Sequence, residues 1–459
     1  MTLDLLENNL LILAAGAALL YALGFVRFRR SEWRLLALAY LAGWALLGSV
    51  LTFLLIAGVD PEVTTVVVVV AAIVAVSGFV GRRVPKTEIV ATRRDGSPLA
   101  VLAALGGAAV LMIASVSALI VAVKGTWPSE WDVWTFWLPK ASTIYYFHGL
   151  GTGLGTYGSF DHPEYPPLVP TMNAATFHFV GGVHPSLLNF QVVLLGIAFL
   201  GAVPALLDRF VPRWLTFPLL ALLAVAPGFW WRLQSELADQ TLACLIATAA
   251  VAGLIWLREP RGAWLGLTLV LLAGATLTKL EGATLGLLVV LVVAGAAFAS
   301  RRRAAWPALL LLLGPAAIEP WRLWLGNHGL PVSATTYHAT DLLRPHFLAD
   351  RWWRFTYAFH WMFHSVFRTG QWLVILPLAL ISIVLVSRRL PVIAAAVTAW
   401  IVLGFLGLTA IYWIGTLEVH FYVQTSADRV VSTIVIVAGT LTPLLLGFAL
   451  AGRRRARGR

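Results

Sequence analysis

Apolar runs close to 20 residues long recur along this chain from Leu10 to Ala451. Each is long enough to cross about 30 Å of hydrocarbon as a helix. Only 12% of the residues are Asp, Glu, Lys or Arg and 59% are hydrophobic, against roughly 25% charged in ordinary soluble domains. A soluble globule is therefore excluded, and the pattern predicts an all-α polytopic membrane protein. The apolar segments give about thirteen crossings, near 10–26, 35–57, 64–81, 98–123, 186–207, 214–231, 239–257, 263–279, 283–300, 306–325, 371–387, 391–414 and 430–452. The single cysteine, Cys244, rules out an internal disulfide and a Cys-based zinc site, leaving helix packing to hold the fold.

The net charge of +12 sets an orientation rather than marking a nucleic-acid partner. Alternate connectors hold 23 of the 33 Lys and Arg, in the clusters Arg27 to Arg34, Arg82 to Arg94, Arg209 and Arg213, Arg258 and Arg261, Arg301 to Arg303, Arg388 and Arg389, and Arg453 to Arg459. The positive-inside rule assigns these to the cytoplasm. The other side keeps ten basic residues, 16 of the 21 acids and all ten histidines. The first apolar run has Asp4 and Glu7 but no Lys or Arg before it, so an uncleaved first helix with its N-terminus outside is expected. Residues 1–123 thus form spans 1–4, 186–325 the central spans and 371–459 the C-terminal spans with a cytoplasmic basic tail. Between them lie outer connectors at 124–185 and 326–370, with a shorter one at 415–429. Their Trp, Phe and Tyr content argues against disorder and for a folded layer at the membrane surface.

In the first of these connectors Trp127, Trp131, Trp134 and Leu138 recur at spacings of 4, 3 and 4, one face of a helix lying in the interface. Asp132 sits about 100° round from Trp131. It is either a functional carboxylate or, in Ser129-Glu130-Trp131-Asp132, the residue at the third helical position of a capping box with Ser129 as N-cap. Gly153-Leu-Gly-Thr-Tyr-Gly158 matches GxGxxG literally, but no strand precedes it, so a loop is expected. His162 and Glu164, with Asp161, offer donors for a divalent metal, against the plainer reading of a solvated turn held by Pro163, Pro166 and Pro167.

Glu236 and Asp239 lie three apart where a helix re-enters the membrane, which puts both on one face; acids in a first turn are also favoured by the helix dipole. Lys279 and Glu281 interrupt an apolar stretch, and charge at that depth is costly unless paired or ligated. Arg429 stands where the positive-inside bias disfavours it, so an anion or an ion pair with Asp428 is expected to hold it. His420 and Glu418 share that connector. Arg344, Arg351, Arg354 and Arg368, among the tryptophans of the middle connector, read as headgroup anchors.

Taken together, these residues resemble the polytopic GT-C glycosyltransferases, in particular bacterial relatives of the dolichyl-phosphate-mannose protein mannosyltransferases and of the lipid A aminoarabinose transferase. The likeness rests on Glu130-Trp-Asp-Val-Trp134 with Lys140-Ala141, Tyr165-Pro-Pro-Leu168, Glu236-Leu-Ala-Asp239, Thr278-Lys-Leu-Glu-Gly282, and His420 followed by Thr425-Ser-Ala-Asp-Arg429. It covers most of residues 124–430 in order. The resemblance implies a polyprenyl-phosphate sugar donor, an outer-face glycan, lipid or protein acceptor, and Asp132 as the base. It also implies a second acidic site at Glu236 or Asp239, with Lys279, Arg429 and Lys140 on the donor phosphate and Trp134, Tyr165, Glu281 and His420 around the substrate. The protein would sit among lipids in a bacterial plasma membrane, with no nucleic-acid partner and no obligatory cofactor, a divalent metal at His162 and Glu164 being the open addition. The sequence departs from the family pattern in having one acid, Asp132, where an adjacent acidic pair is usual, and in three extra spans before it. A transporter or flippase of an anionic lipid-linked substrate uses the same basic residues and is the alternative; no internal repeat favours it.

Overall fold

The computed structural model describes residues 2–25, 35–86, 97–124, 130–235, 238–301, 305–334 and 336–457. Among these the chain is helical with no strand. The helices are α1 (Thr2–Ala22), α2 (Leu36–Ile56), α3 (Val63–Gly81), α4 (Pro98–Val123), α5 (Leu138–Phe147), α6 (Leu168–Val180), α7 (Ser186–Leu207), α8 (Arg213–Ala224), α9 (Pro227–Gln234) and α10 (Ala238–Arg258). There follow α11 (Gly262–Thr276), α12 (Leu280–Arg301), α13 (Leu313–Ala316), α14 (Glu319–Asn327), α15 (Pro345–Asp350), α16 (Trp352–Val366), α17 (Thr369–Trp372), α18 (Ile375–Ser387), α19 (Pro391–Ile414) and α20 (Val419–Arg457).

Among the described residues, ten helical segments are long and apolar enough to cross a membrane, including the composite run Trp306–Asn327. The pair α8 and α9, bent by 63°, makes up to eleven, and α11 and α18 are shorter apolar helices. The protein is thus an integral, multi-pass membrane protein, with fewer full-length apolar helices than the thirteen apolar segments. The bend has a local cause: Pro227 opens α9 and has no N–H to continue the ladder of α8.

Burial sorts the helices. Every residue of α10 from Ala238 to Leu257 is buried, and α7, α11, α12 and α20 pack around it. On α3 and α4 most side chains stay exposed although they are Val, Leu, Ile and Met, as at Val68, Val76, Leu102 and Ile113. An apolar exposed face of that kind is suited to lipid. Close crossings use glycine: a Cβ on Gly43 of α2 would lie 1.9 Å from the Ile12 carbonyl oxygen of α1, so backbones touch there.

Three segments expected as connectors carry helix. Between 124 and 185 lie α5 and α6, and between 326 and 370 lie α15, α16 and part of α17. The stretch 415–429 is no loop, because α20 begins at Val419 and runs 39 residues without interruption, about 58 Å at 1.5 Å per residue. Glu418 sets that start: its carboxylate accepts from the backbone N–H groups of His420 and Phe421, at 3.0 and 2.7 Å, satisfying two donors that a helix start leaves free. Arg351 and Arg354, expected at lipid headgroups, instead donate to carbonyls around the end of α19, Arg351 to Ile414 and Gly415 and Arg354 to Tyr412 and Leu417. A helix C-terminus leaves those oxygens without partners, which makes it a good seat for a guanidinium.

Candidate functional site

Four elements bring ionised side chains to one place. Asp132 directly precedes a π-helical turn, Val133–Trp137; Asp239 lies in the first turn of α10; Lys279 immediately precedes α12; and Arg429 stands in the eleventh position of α20. The Asp132 carboxylate accepts from Nη1 of Arg429. Arg429 Nε faces the second acid, 3.8 Å from Asp239 Oδ2. Lys279 Nζ donates to Asp239 Oδ1 at 2.9 Å and stands 3.5 Å from Glu281 Oε1. The result is an alternating row, Asp132, Arg429, Asp239, Lys279, Glu281.

Each member is held by its own element. The widened i to i+5 turn after Asp132 buries Val133, Phe136 and Trp137 while Trp131 and Trp134 stay exposed, so Trp131, Trp134 and Leu138, expected on one face, do not share one. Leu138 is buried where Trp131 is 78% exposed, because a π-turn breaks the 3.6-residue register. Trp127 and Ser129 lie outside the described residues, and so does Glu236. Asp132 itself directs its carboxylate to Arg429. Asp428 does not pair with its neighbour Arg429; successive helical residues point about 100° apart, and Asp428 instead meets Arg368 at 3.3 Å and Gln371 at 3.0 Å. On the α12 side, Gly282 has no room for a Cβ, which would lie 2.0 Å from the Ala275 carbonyl oxygen. That contact seats Lys279 and Glu281 against the end of α11.

The pairs are largely withdrawn from solvent: side-chain exposure is 7% for Asp239, 5% for Lys279, 16% for Arg429 and 23% for Asp132. Charges so placed are costly unless they are paired and fully hydrogen-bonded. Here the bonding is incomplete. Arg429 Nε, Glu281 Oε2 and Arg232 Nε are buried atoms without a hydrogen-bond partner among the described residues. Arg232 lies in the last turn of α9, and Asp239 and Glu130 bear on it electrostatically. It escaped the sequence reading, although an Arg on the side disfavoured by charge bias gives the same signal that singled out Arg429.

Tyr165 forms the floor beneath the row. Its ring stacks on His162 at 4.6 Å and on Trp137 at 5.9 Å, and Lys279 Nζ lies 5.7 Å from its centre. Lys140 approaches the same ring at 5.9 Å but is fully buried, donating to the His162 carbonyl at 2.5 Å among the rings of Phe136 and Tyr157. Burial pushes its ammonium down to about 7, against the pull of Glu164 and Asp161.

His162 Nδ1 meets Glu164 Oε1 at 3.2 Å, yet Asp161 does not complete a three-donor set with them among the described residues. The GxGxxG stretch forms turns and a single 3-10 turn, Tyr157–Ser159, with no strand. His420 is not brought to the row. It is exposed, it packs 4.3 Å from the Tyr357 ring, and it precedes Arg429 on α20 by nine residues, about 14 Å along the axis. Chemically, the row offers a carboxylate that departure of a guanidinium would free, next to two cations suited to an anionic oxygen. No protein-family model, curated protein or solved structure matches the chain.

Proposed function

We propose that this protein is an inverting membrane glycosyltransferase that moves a sugar from a polyprenyl-phosphate carrier to an acceptor hydroxyl on the outer face. In this reading the ten long helices, the bent α8 and α9 pair, α11 and α18 make thirteen crossings, and the basic C-terminus is cytoplasmic. The observation that carries the proposal is Arg429 lying between two carboxylates with its Nε unsatisfied, beside a second unsatisfied guanidinium nitrogen on Arg232. Buried donors without acceptors point to a missing anion, and a phosphodiester supplies one.

The steps follow from the charges. As the carrier phosphate enters, Arg429 turns a donor to it and leaves Asp132, while Lys279 adds a second charge-assisted bond. The freed carboxylate takes the proton of the acceptor hydroxyl as its oxygen bonds to the anomeric carbon. The bond from that carbon to the phosphate oxygen breaks on the opposite face, so configuration inverts. The electron pair goes to the polyprenyl phosphate, whose growing charge Arg429 and Lys279 stabilise.

Asp132→Asn tests this directly, because it keeps shape and an acceptor oxygen and removes the base. Transfer from radiolabelled polyprenyl-phosphate sugar is expected to fall by about 10² to 10⁴ with donor binding retained. Transfer within about three-fold of wild type would move the base to Glu130, Glu236 or Asp239. Passage of intact carrier across a vesicle bilayer, with no sugar released by the wild-type protein, would favour the transporter reading.

A further inference from the structure

Three donor groups far apart in the sequence meet away from the Arg429 row. Asp60 lies in the connector between α2 and α3, His148 follows the last residue of α5, and His178 lies in the last turn of α6. One ligand atom from each lies within 4.8 Å of the others. His148 adopts a left-handed backbone, φ 55°, where α5 stops, and its Nδ1 stands 2.7 Å from Asp60 Oδ2. That contact is an ordinary hydrogen bond and needs no ion.

The contact on the other side is different. His178 Nε2 faces Asp60 Oδ1 at 3.3 Å, and the two side chains are only 9% and 13% exposed. Yet both atoms are buried without a hydrogen-bond partner. An imidazole nitrogen and a carboxylate oxygen that face each other at this distance without hydrogen-bond geometry leave a polar cost that a cation between them removes.

We propose that Asp60, His148 and His178 bind one divalent transition-metal ion of the zinc class, with a fourth position left to water. Two imidazoles and a carboxylate are the donors zinc takes, whereas magnesium and calcium prefer oxygen alone. Tetrahedral zinc about 2.0 to 2.1 Å from each ligand needs donors about 3.3 Å apart. The Asp60 to His178 edge already has that length, and the His148 side chain, 69% exposed, is free to open its edge. The ion would tie residues 148 and 178, which bracket the segment carrying Tyr157, Glu164 and Tyr165, to the connector between α2 and α3. It does not depend on the glycosyltransferase reading.

The test uses the full-length protein in detergent, stripped with a chelator and titrated with zinc chloride by calorimetry, with elemental analysis of the product. One zinc per chain at micromolar affinity or tighter is expected, together with a zinc-dependent rise in Tm. Asp60→Asn and His178→Ala should each weaken binding at least ten-fold. His148→Ala trims an exposed side chain, so the fold should survive it and the test stands even if His178→Ala does not fold. A wild-type protein that binds no zinc overturns the proposal. So do Asp60→Asn and His148→Ala proteins that both keep wild-type affinity, which would put the ion elsewhere, for example at His162 and Glu164.

Discussion

Asp132 and Arg429 are ion-paired although 297 positions separate them in the chain, and Arg429 reaches from that acid toward Asp239. One guanidinium therefore faces carboxylates from two elements far apart in the sequence. In the proposed reaction an anion that draws Arg429 away frees Asp132, while Lys279 keeps Asp239 paired, which would couple binding of the anion to release of the base.

That coupling makes Arg429 the most informative single position. Charge-assisted bonds to phosphate contribute roughly 1.5 to 3 kcal/mol each, so Arg429→Ala is expected to weaken carrier binding by about ten-fold to a hundred-fold. Arg429→Lys should recover part of this, because it keeps the charge and loses the planar fork. Binding of a fluorescent carrier analogue in detergent measures both. Unchanged affinity in Arg429→Ala and Lys279→Ala alike would move the phosphate to the middle-segment arginines.

The row was partly legible in the sequence and partly hidden, for identifiable reasons. Asp239, Lys279 and Arg429 stand out because charge in an apolar context, or on the side that charge bias disfavours, has an energetic cost that demands a partner. Which partner each one takes is a tertiary fact. Nothing near Arg429 in sequence indicates that it passes over Asp428 for Asp132. The helix from Val419 through Arg429 was hidden by its polar composition, which reads as loop when only apolar periodicity is followed. The π-turn after Asp132 was invisible to a 3.6-residue period, and it reverses which tryptophans are buried. Asp60, His148 and His178 carry no spacing signal at all, since each comes from a different element.

Lys279 and Asp239 form the most deeply buried ion pair of the row, at 5% and 7% side-chain exposure. Removing one partner of such a pair strands a charge, at about 3 to 5 kcal/mol. Asp239→Ala should therefore lower the unfolding midpoint clearly. The double variant Asp239→Leu with Lys279→Met should regain most of that loss while leaving carrier binding impaired. Denaturant or thermal unfolding in detergent separates the two effects. Equal instability in the single and double variants would show that packing, and not the stranded charge, sets the cost.

The charge asymmetry makes a topological forecast: the segment 124–185 faces outward and the basic C-terminus faces the cytoplasm. Leu154 is fully exposed, and the native Cys244 is buried, so it adds little background. In whole cells a membrane-impermeant thiol reagent should label Leu154→Cys and not Gly458→Cys, and permeabilisation should expose the second. Labelling of both from outside contradicts the orientation.

Lys140 makes a prediction about pH. Its ammonium is buried beneath Tyr165 and beside Tyr157, and burial lowers it from the ordinary value near 10.4 to about 7. Between those two values the folded chain binds fewer protons at this site than the unfolded chain does. Stability contributed by the site therefore rises with pH across that window, by up to about 1.4 kcal/mol per unit. Below about pH 7 both forms are protonated and the contribution is flat, with the full penalty in place. Lys140→Met removes the group and fills similar space. Its stability relative to wild type should be greatest at pH 7 and should decline steadily toward pH 10. Thermal unfolding of both proteins over that range measures the difference, and parallel pH profiles would mean that Lys140 is charged in the folded state throughout.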